Sequence, residues 1–215
     1  MLWHKLQGAG GAFNNRAYGV GAIGGGYSGT SALSHTVSSQ DFGPDALNRY
    51  ILVGVSGRFN SGQITSVTAG GVTLTKQAER YGGNVNPSVA CLLYSGDLSG
   101  AGSTGDIVVN FNTSRGTVTV GYATVYALAD ITVDSTNAGA NSNTTSRTAT
   151  VSGDFVVSVV GTVAAKTYTL DADFDGPLYV SSYAAIAYDA TGGGAYTTSW
   201  SGGTGATMQG GAWNR

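Results

Sequence analysis

From Arg49 onward the chain alternates between short apolar runs and clusters of glycine, serine and asparagine, and the runs have the length of β-strands. The pattern predicts strands over Arg49–Val55, Ile64–Ala69, Val72–Gln77, Ser88–Ser95, Asp106–Asn112, Thr117–Ala127, Arg147–Val151, Phe155–Val163, Leu178–Asp189, Tyr196–Ser201 and Ala206–Trp213. Between them, Ala69-Gly70-Gly71, Tyr81-Gly82-Gly83-Asn84, Ser99–Gly105 and Gly192-Gly193-Gly194 supply glycine-rich turns suited to hairpins. No segment sustains a 3.6-residue period, so helices are not expected. Alternation is clearest at Gly116–Ala127. There Val118, Val120, Tyr122, Thr124 and Tyr126 share one face, and Thr117, Thr119, Gly121, Ala123 and Val125 share the other. Both faces are fairly apolar, which places this strand in the middle of a sheet. So many short runs without a helix between them predict an all-β fold: two antiparallel sheets packed face to face, immunoglobulin-like or jelly-roll in kind.

The first part of the chain reads differently. Up to Gly43–Asp45 it is glycine, alanine, serine and asparagine with scattered aromatics, and residues 8–29 carry too little apolar area to offset the ordering entropy of so many glycines. We therefore expect residues 1–44 to form an extended Gly-rich N-terminal arm and residues 45–215 to form the β-sandwich. Termini order when something ties them down, and the spaced anchors Trp3, Phe13, Tyr18, Ile23 and Tyr27 are candidates to enter pockets on a partner chain.

Composition narrows the function. Charged residues make up 10% of the chain, against about 25% in an average globular protein, while 41% is hydrophobic and the formal net charge is -2. Disorder would require the reverse balance. So weak a field does not capture a phosphate backbone or an anionic leaflet, so neither nucleic acid nor membrane is an expected partner. Weak repulsion between copies suits a chain held in an assembly. The opening MLWHKLQGAG lacks the apolar stretch of a secretory signal, and no run approaches the roughly 18 residues of a membrane span, so synthesis in the cytoplasm is expected. The one cysteine, Cys91, sits in VACLLY and reads as a small core residue.

The order of RYILVGVSGRF (from Arg49), VTAGGVTLT (from Val67), SVACLLYSG (from Ser88), Gly105–Phe111 and a closing Ala206–Trp213 resembles the β-sandwich domains of tailed-bacteriophage virion proteins. The likeness covers about residues 45–215. The opening MLWHKLQGAGG is similar to the start of small phage structural proteins. This resemblance implies a virion component: a capsid decoration or cement protein, a head fibre or a tail appendage. It also implies other virion proteins as partners, the major capsid protein first among them, and a homo-oligomer with a trimer favoured.

Few motifs in the chain could carry chemistry. Gly19, Gly21 and Gly24 spell G-x-G-x-x-G, but dinucleotide binding needs those glycines between a strand and a helix, and no helix is visible. Asp171, Asp173 and Asp175, followed by Gly176, resemble the start of a calcium loop and are a weak calcium candidate. Ser182 stands where a bidentate glutamate would be needed, and the bland reading is an acidic turn. The two histidines, His4 and His35, both lie in the expected arm, away from a scaffold able to position a base. Glu79 is the sole glutamate and the aspartates sit at turns, so no carboxylate pair for glycoside cleavage is set up. No catalytic residue, cofactor or enzymatic activity is expected. The aromatics Tyr168, Tyr179, Tyr183, Tyr188, Tyr196 and Trp200 cluster late in the chain. They would suit a glycan platform if exposed and a core or interface if buried. The expected function is a decoration protein that binds the head surface through its arm. The alternative is a head-fibre or tail-tip receptor- or glycan-binding module, with residues 134–146 and 171–177 as reading loops.

Overall fold

The computed structural model describes residues 19–60, 62–82, 89–129, 135–192 and 194–214. In chain order its strands are β1 (Gly19–Ser28), β2 (Ala32–Asp41), β3 (Arg49–Arg58), β4 (Ile64–Ala69), β5 (Val72–Thr73), β6 (Thr75–Gly82), β7 (Val89–Asp97), β8 (Thr104–Arg115), β9 (Val118–Tyr126), β10 (Ser135–Val151), β11 (Phe155–Thr162), β12 (Tyr168–Leu170), β13 (Gly176–Val180), β14 (Ala184–Asp189) and β15 (Gly194–Trp213). The fold is all-β and antiparallel, and its sheets pack face to face as in a sandwich. There are three of them, where the apolar pattern led us to expect two: a 5-stranded sheet β1-β9-β3-β7-β6, a 4-stranded sheet β2-β8-β4-β5, and a 6-stranded sheet β10-β15-β11-β14-β13 with β12 on β15.

The third sheet follows from the side-chain period of two. β3, β7 and β9 are apolar on both faces and buried almost throughout. One face, with Ile51, Val53, Leu92, Val120 and Tyr122, packs on Val67, Ile107, Val109 and Phe111 of the 4-stranded sheet. The other, with Leu52, Cys91, Leu93, Ala123 and Val125, packs on Phe155, Val157, Val159, Ile186 and Trp213 of the 6-stranded sheet. The 5-stranded sheet is thus an inner layer. The outer face of the 6-stranded sheet is covered in turn. β10 and β15 pair along their lengths with register shifts between Asn141 and Ser146, and Ala149, Val151, Tyr196 and Trp200 lie over Val156, Val160, Ala185, Ala187, Met208 and Ala212.

The expected arm is corrected by this arrangement. Its second half, Gly19–Asp41, is not an extended appendage but β1 and β2, hydrogen-bonded to β9 and β8. Its glycines are seats for close contact. A Cβ on Gly21 would lie 2.5 Å from Tyr126 Cε2, and one on Gly25 would lie 2.2 Å from the Val120 carbonyl oxygen and 2.7 Å from Tyr179 Cβ. Nor does the chain loosen at the expected boundary near Gly43–Asp45. Arg49, fully buried, donates from Nη1 to Gly43 O (2.9 Å) and from Nη2 to Leu98 O (2.9 Å) and Gly102 O (2.6 Å), and pairs with Asp45 (3.1 Å). Tyr122 and Tyr126 hydroxyls donate to Asp41 O (2.6 Å) and Pro44 O (2.9 Å). Residues 1–18 of the expected arm lie outside the described residues.

The single run expected over Leu178–Asp189 is split into β13 and β14 by a turn in which Ser181 Oγ accepts from Tyr183 N and Ala184 N. The two runs expected over Tyr196–Ser201 and Ala206–Trp213 form one strand, β15. Residues 135–146, expected as a reading loop, belong to β10.

Gly54 on β3 tests the seam between the inner and 6-stranded sheets, because a Cβ there would sit 2.6 Å from Val159 Cγ2 and 2.8 Å from Ile186 Cγ2. Gly54→Val should lower stability by about 1–3 kcal/mol through overpacking, read as a lower urea midpoint at unchanged slope. An unchanged midpoint would show that the two sheets are not in close contact.

Candidate partner-binding surface

Each sheet has a terminal strand, and three of these strands come together: β1 of the inner sheet, β2 of the 4-stranded sheet and β13 of the 6-stranded sheet. Their closeness shows in the glycines. A Cβ on Gly26 would lie 2.8 Å from Val37 Cγ1 of β2, and one on Gly25 would touch Tyr179 of β13. At the other edge of the inner sheet, β6 packs against β10 and β15. The inner sheet is therefore covered at one edge and open at β1, where the only pairing among the described residues is with β9.

Edge strands are normally blunted by charge, proline or bulges. β13 carries Pro177, and β2 has two register shifts and ends in the exposed Asp41. β1, GVGAIGGGYS, has neither charge nor proline over its 10 residues, and its one register shift falls early, between Val20 and Ile23. Two large residues stand out from it, Ile23 (45% exposed) and Tyr27 (40%). Both face the 6-stranded sheet, because their partners on β9 are Ala123 and Thr119. Ala123 is part of the core on that side, and Thr119 Oγ1 is bonded to Ser181 Oγ at 2.8 Å. The Tyr27 ring stacks on Tyr183, with centroids 6.2 Å apart and planes inclined by 13°. Ile23, Tyr27 and Tyr183 thus make an aromatic-aliphatic strip along the junction, whereas the exposed Val180 lies opposite Ala185 of β14 and faces the outer side of the 6-stranded sheet. On the other side of β1, a cleft of about 230 Å³ opens toward β2, lined by Ser28, Thr36, Val37, Gln40, Val118 and Val120 among others.

Of the anchors expected to meet a partner, Ile23 and Tyr27 are thus exposed on this surface, while Trp3, Phe13 and Tyr18 lie outside the described residues. Tyr183, read only as one of the late aromatics, joins this surface because the turn after β13 lies beside β1, which nothing local in the sequence says.

The remaining candidates are spent on structure. The calcium candidates do not converge: Asp171 Oδ2 accepts from Thr197 N, Asp171 Oδ1 from Asp173 N (3.2 Å), and Asp175 Oδ2 from Ala190 N (2.8 Å). Among the described residues no group of three His, Cys, Asp or Glu side chains is placed to hold a metal ion. The buried His35 ring meets Phe111 edge-on, and its Nε2 bonds to Arg115 O. Glu79 pairs with Lys76 at 2.6 Å and accepts from the Tyr81 hydroxyl at 3.1 Å. The G-x-G-x-x-G stretch lies within β1, with no helix after it. Cys91 is enclosed, its Sγ donating to Thr207 O at 3.3 Å, and burial pushes the thiol up to about 12. The late aromatics divide: Tyr188, Tyr196 and Trp200 are buried, whereas Tyr168, Tyr179 and Tyr183 are half-buried. Tyr196 donates to Asp189 Oδ2 at 2.6 Å.

No protein-family model matches the chain, and no curated protein matches it. Among solved structures, one titled "Crystal structure of PBSX exported protein XepA" aligns over 91% of this chain and 86% of its own, at 11% identity and a TM-score of 0.25. Superposition that loose transfers neither fold nor function.

The buried tyrosines make the structure sensitive to alkali. Burial raises the hydroxyls of Tyr94, Tyr168 and Tyr196, and raises that of Tyr122 to about 12 with a further contribution from Asp41. A tyrosine whose folded value exceeds its unfolded value of about 10 lends stability in full below that pH and loses it as the pH rises toward the folded value. Tyrosinate absorbance at 295 nm should therefore rise together with loss of the β-sheet circular dichroism signal above about pH 10. Independent titration of all tyrosines near pH 10 with the sheet signal intact would contradict this packing. Cys91 should react with a thiol reagent at pH 8 only after denaturation; reaction in the native protein would show that the space between the inner and 6-stranded sheets is open.

Proposed function

We propose that the chain is a virion structural protein of tailed-phage type, acting as a capsid decoration or cement protein that works by binding rather than by chemistry. The observation that carries this reading is the meeting of three sheet edges in one surface, with an uncharged edge strand and exposed Ile23 and Tyr27. A free monomer gains nothing from such an edge, whereas a subunit held by neighbours covers it. The resemblance of the strand and turn order to phage virion sandwiches supports the same reading. So does the low charge, which leaves little repulsion against packing. Residues 1–18, which carry the expected anchors Trp3, Phe13 and Tyr18, precede Gly19, the first residue of β1. Each bound copy then adds interface that must be broken before the shell opens, which raises the stability of the shell by mass action. The glycan-reading alternative loses weight because Tyr196, Tyr188 and Trp200 are core residues rather than a platform.

Full-length protein and a variant lacking residues 1–18 should be sedimented with emptied capsids of the virus that carries the gene, and bound copies counted. Full-length chain is expected to coat the shell stoichiometrically. The shortened chain should remain folded, with most of its binding gone. Full retention of binding without residues 1–18 would remove their role, and a few copies at one vertex, or none, would favour the fibre or tail-tip reading.

A further inference from the structure

The open edge of β1 has a sequence that fits a second copy of itself. We propose that two chains pair β1 to β1 in antiparallel register about a two-fold axis through Gly25, joining their inner sheets into one continuous sheet across the interface. This deepens the reading of the β1 edge as one that a neighbour covers, and names that neighbour as a second copy of the chain.

Three observations lead there. The strand has no charged residue, so two copies meet without like charges opposed, the usual guard of an edge. Register comes next. Centring the pair on Gly25 sets Ile23 of each copy opposite Tyr27 of the other, and sets Gly24 opposite Gly26. The two-fold axis stands perpendicular to the sheet, so side chains keep their face, and Ile23 and Tyr27 share the face toward the 6-stranded sheet. The result is two cross-strand pairs of a β-branched with an aromatic residue, a favourable combination. Each continues outward into the stacked Tyr183 ring of its own chain. The glycines between them leave the backbones free to approach, and both large exposed side chains of the strand become covered. A register centred on Gly24 would instead set Ile23 against Gly25 and Tyr27 against Gly21, leaving both uncovered.

The third observation is the chain outside the described residues and where it ends. Residues 1–18 reach the fold at Gly19. In the Gly25-centred register Ala22 lies opposite Ser28 of the other copy, so Gly19 lies beyond the Ser28 end of that copy's β1. The cleft between β1 and β2 opens at that end, lined by Ser28, Thr36 and Val37. A strand pair alone lies below the roughly 1,000 Å² that a lasting interface needs. Eighteen further residues per copy, with Leu2, Trp3, Leu6 and Phe13 among them, are chain available to add to it.

The symmetry is two-fold, unlike the trimer implied by the phage resemblance, and solution mass separates the two. Light scattering of the full chain at about 50 μM should give twice the 21.6 kDa of one copy, and the double variant Ile23→Lys with Tyr27→Lys should give one copy with its β-sheet circular dichroism spectrum unchanged and a lower melting temperature that no longer depends on protein concentration. Register is read by mixing single-cysteine variants under mild oxidation. Ile23→Cys mixed with Tyr27→Cys should yield a disulfide-linked heterodimer, whereas either variant alone should remain unlinked, because identical positions lie about four residues out of register. Buried Cys91 stays silent. A monomeric wild-type chain, a trimer, a dimer indifferent to the lysine substitutions, or linkage of Ile23→Cys to itself would each overturn the proposal. None of these readouts involves a capsid, so failure here and failure of the decoration reading are distinguishable.

Discussion

The structure depends on one constraint: strands β3, β7 and β9 are apolar on both faces, so the sheet they form has to be covered twice. Two cores result, one lined by Ile51, Val53 and Val120, the other by Leu52, Leu93 and Ala123, and successive residues of one strand serve opposite cores. A single partner sheet would leave one of these rows in water. The 4-stranded and 6-stranded sheets are each other's complement across this layer, although they share no hydrogen-bonded strand.

An inner sheet can hide its faces, but it still has two edges, and the molecule treats them differently. At β6 the long ribbon of β10 and β15 packs against the edge. At β1 the edge is left beside two other sheet ends, and what is missing there is the usual charge and proline. Glycine makes that crowding possible. At Gly25 and Gly26 a Cβ would meet Tyr179 Cβ of β13 and Val37 of β2, so a side chain at either position would press on a neighbouring sheet. The same residues leave the backbone of β1 accessible from its outer side. Close packing within the chain and availability toward a neighbour therefore have a common origin in this strand.

Much of the fold was legible in the sequence because burial writes itself as alternation. Ile64–Ala69 was bounded correctly, Phe155–Val163 to within a residue, and the two-faced apolarity of Gly116–Ala127 identified the central position of β9. The third sheet was not legible, since an apolar face says that it must be covered but not by how many layers. β1 and β2 were missed for a related reason. Their stability comes from ladders to β9 and β8 that are distant in sequence, and glycines chosen for contact look in composition like glycines chosen for flexibility. At the candidate surface Ile23 and Tyr27 could be read as anchors from their isolation in a glycine background, while the part of Tyr183 needed the topology. Asp171, Asp173 and Asp175 show the converse failure: spacing suggested a shared ligand, but the backbone turns two of the carboxylates toward separate backbone amides, Thr197 N and Ala190 N.

The reach of β15 has a consequence for the order in which the molecule is made. This strand pairs with β10, β11 and β12, and its end places Met208 and the fully buried Trp213 in the cores on either side of the 6-stranded sheet. Until residues 206–213 have been synthesised, β11 lacks one of its two neighbours and the second face of the inner sheet lacks part of its cover. A growing chain therefore carries a half-wrapped apolar layer from the emergence of β9 to that of β15, and closure is a long-range event. The scarcity of charge that suits an assembled subunit leaves that interval poorly guarded, which makes the nascent chain rather than the finished fold the state most exposed to aggregation.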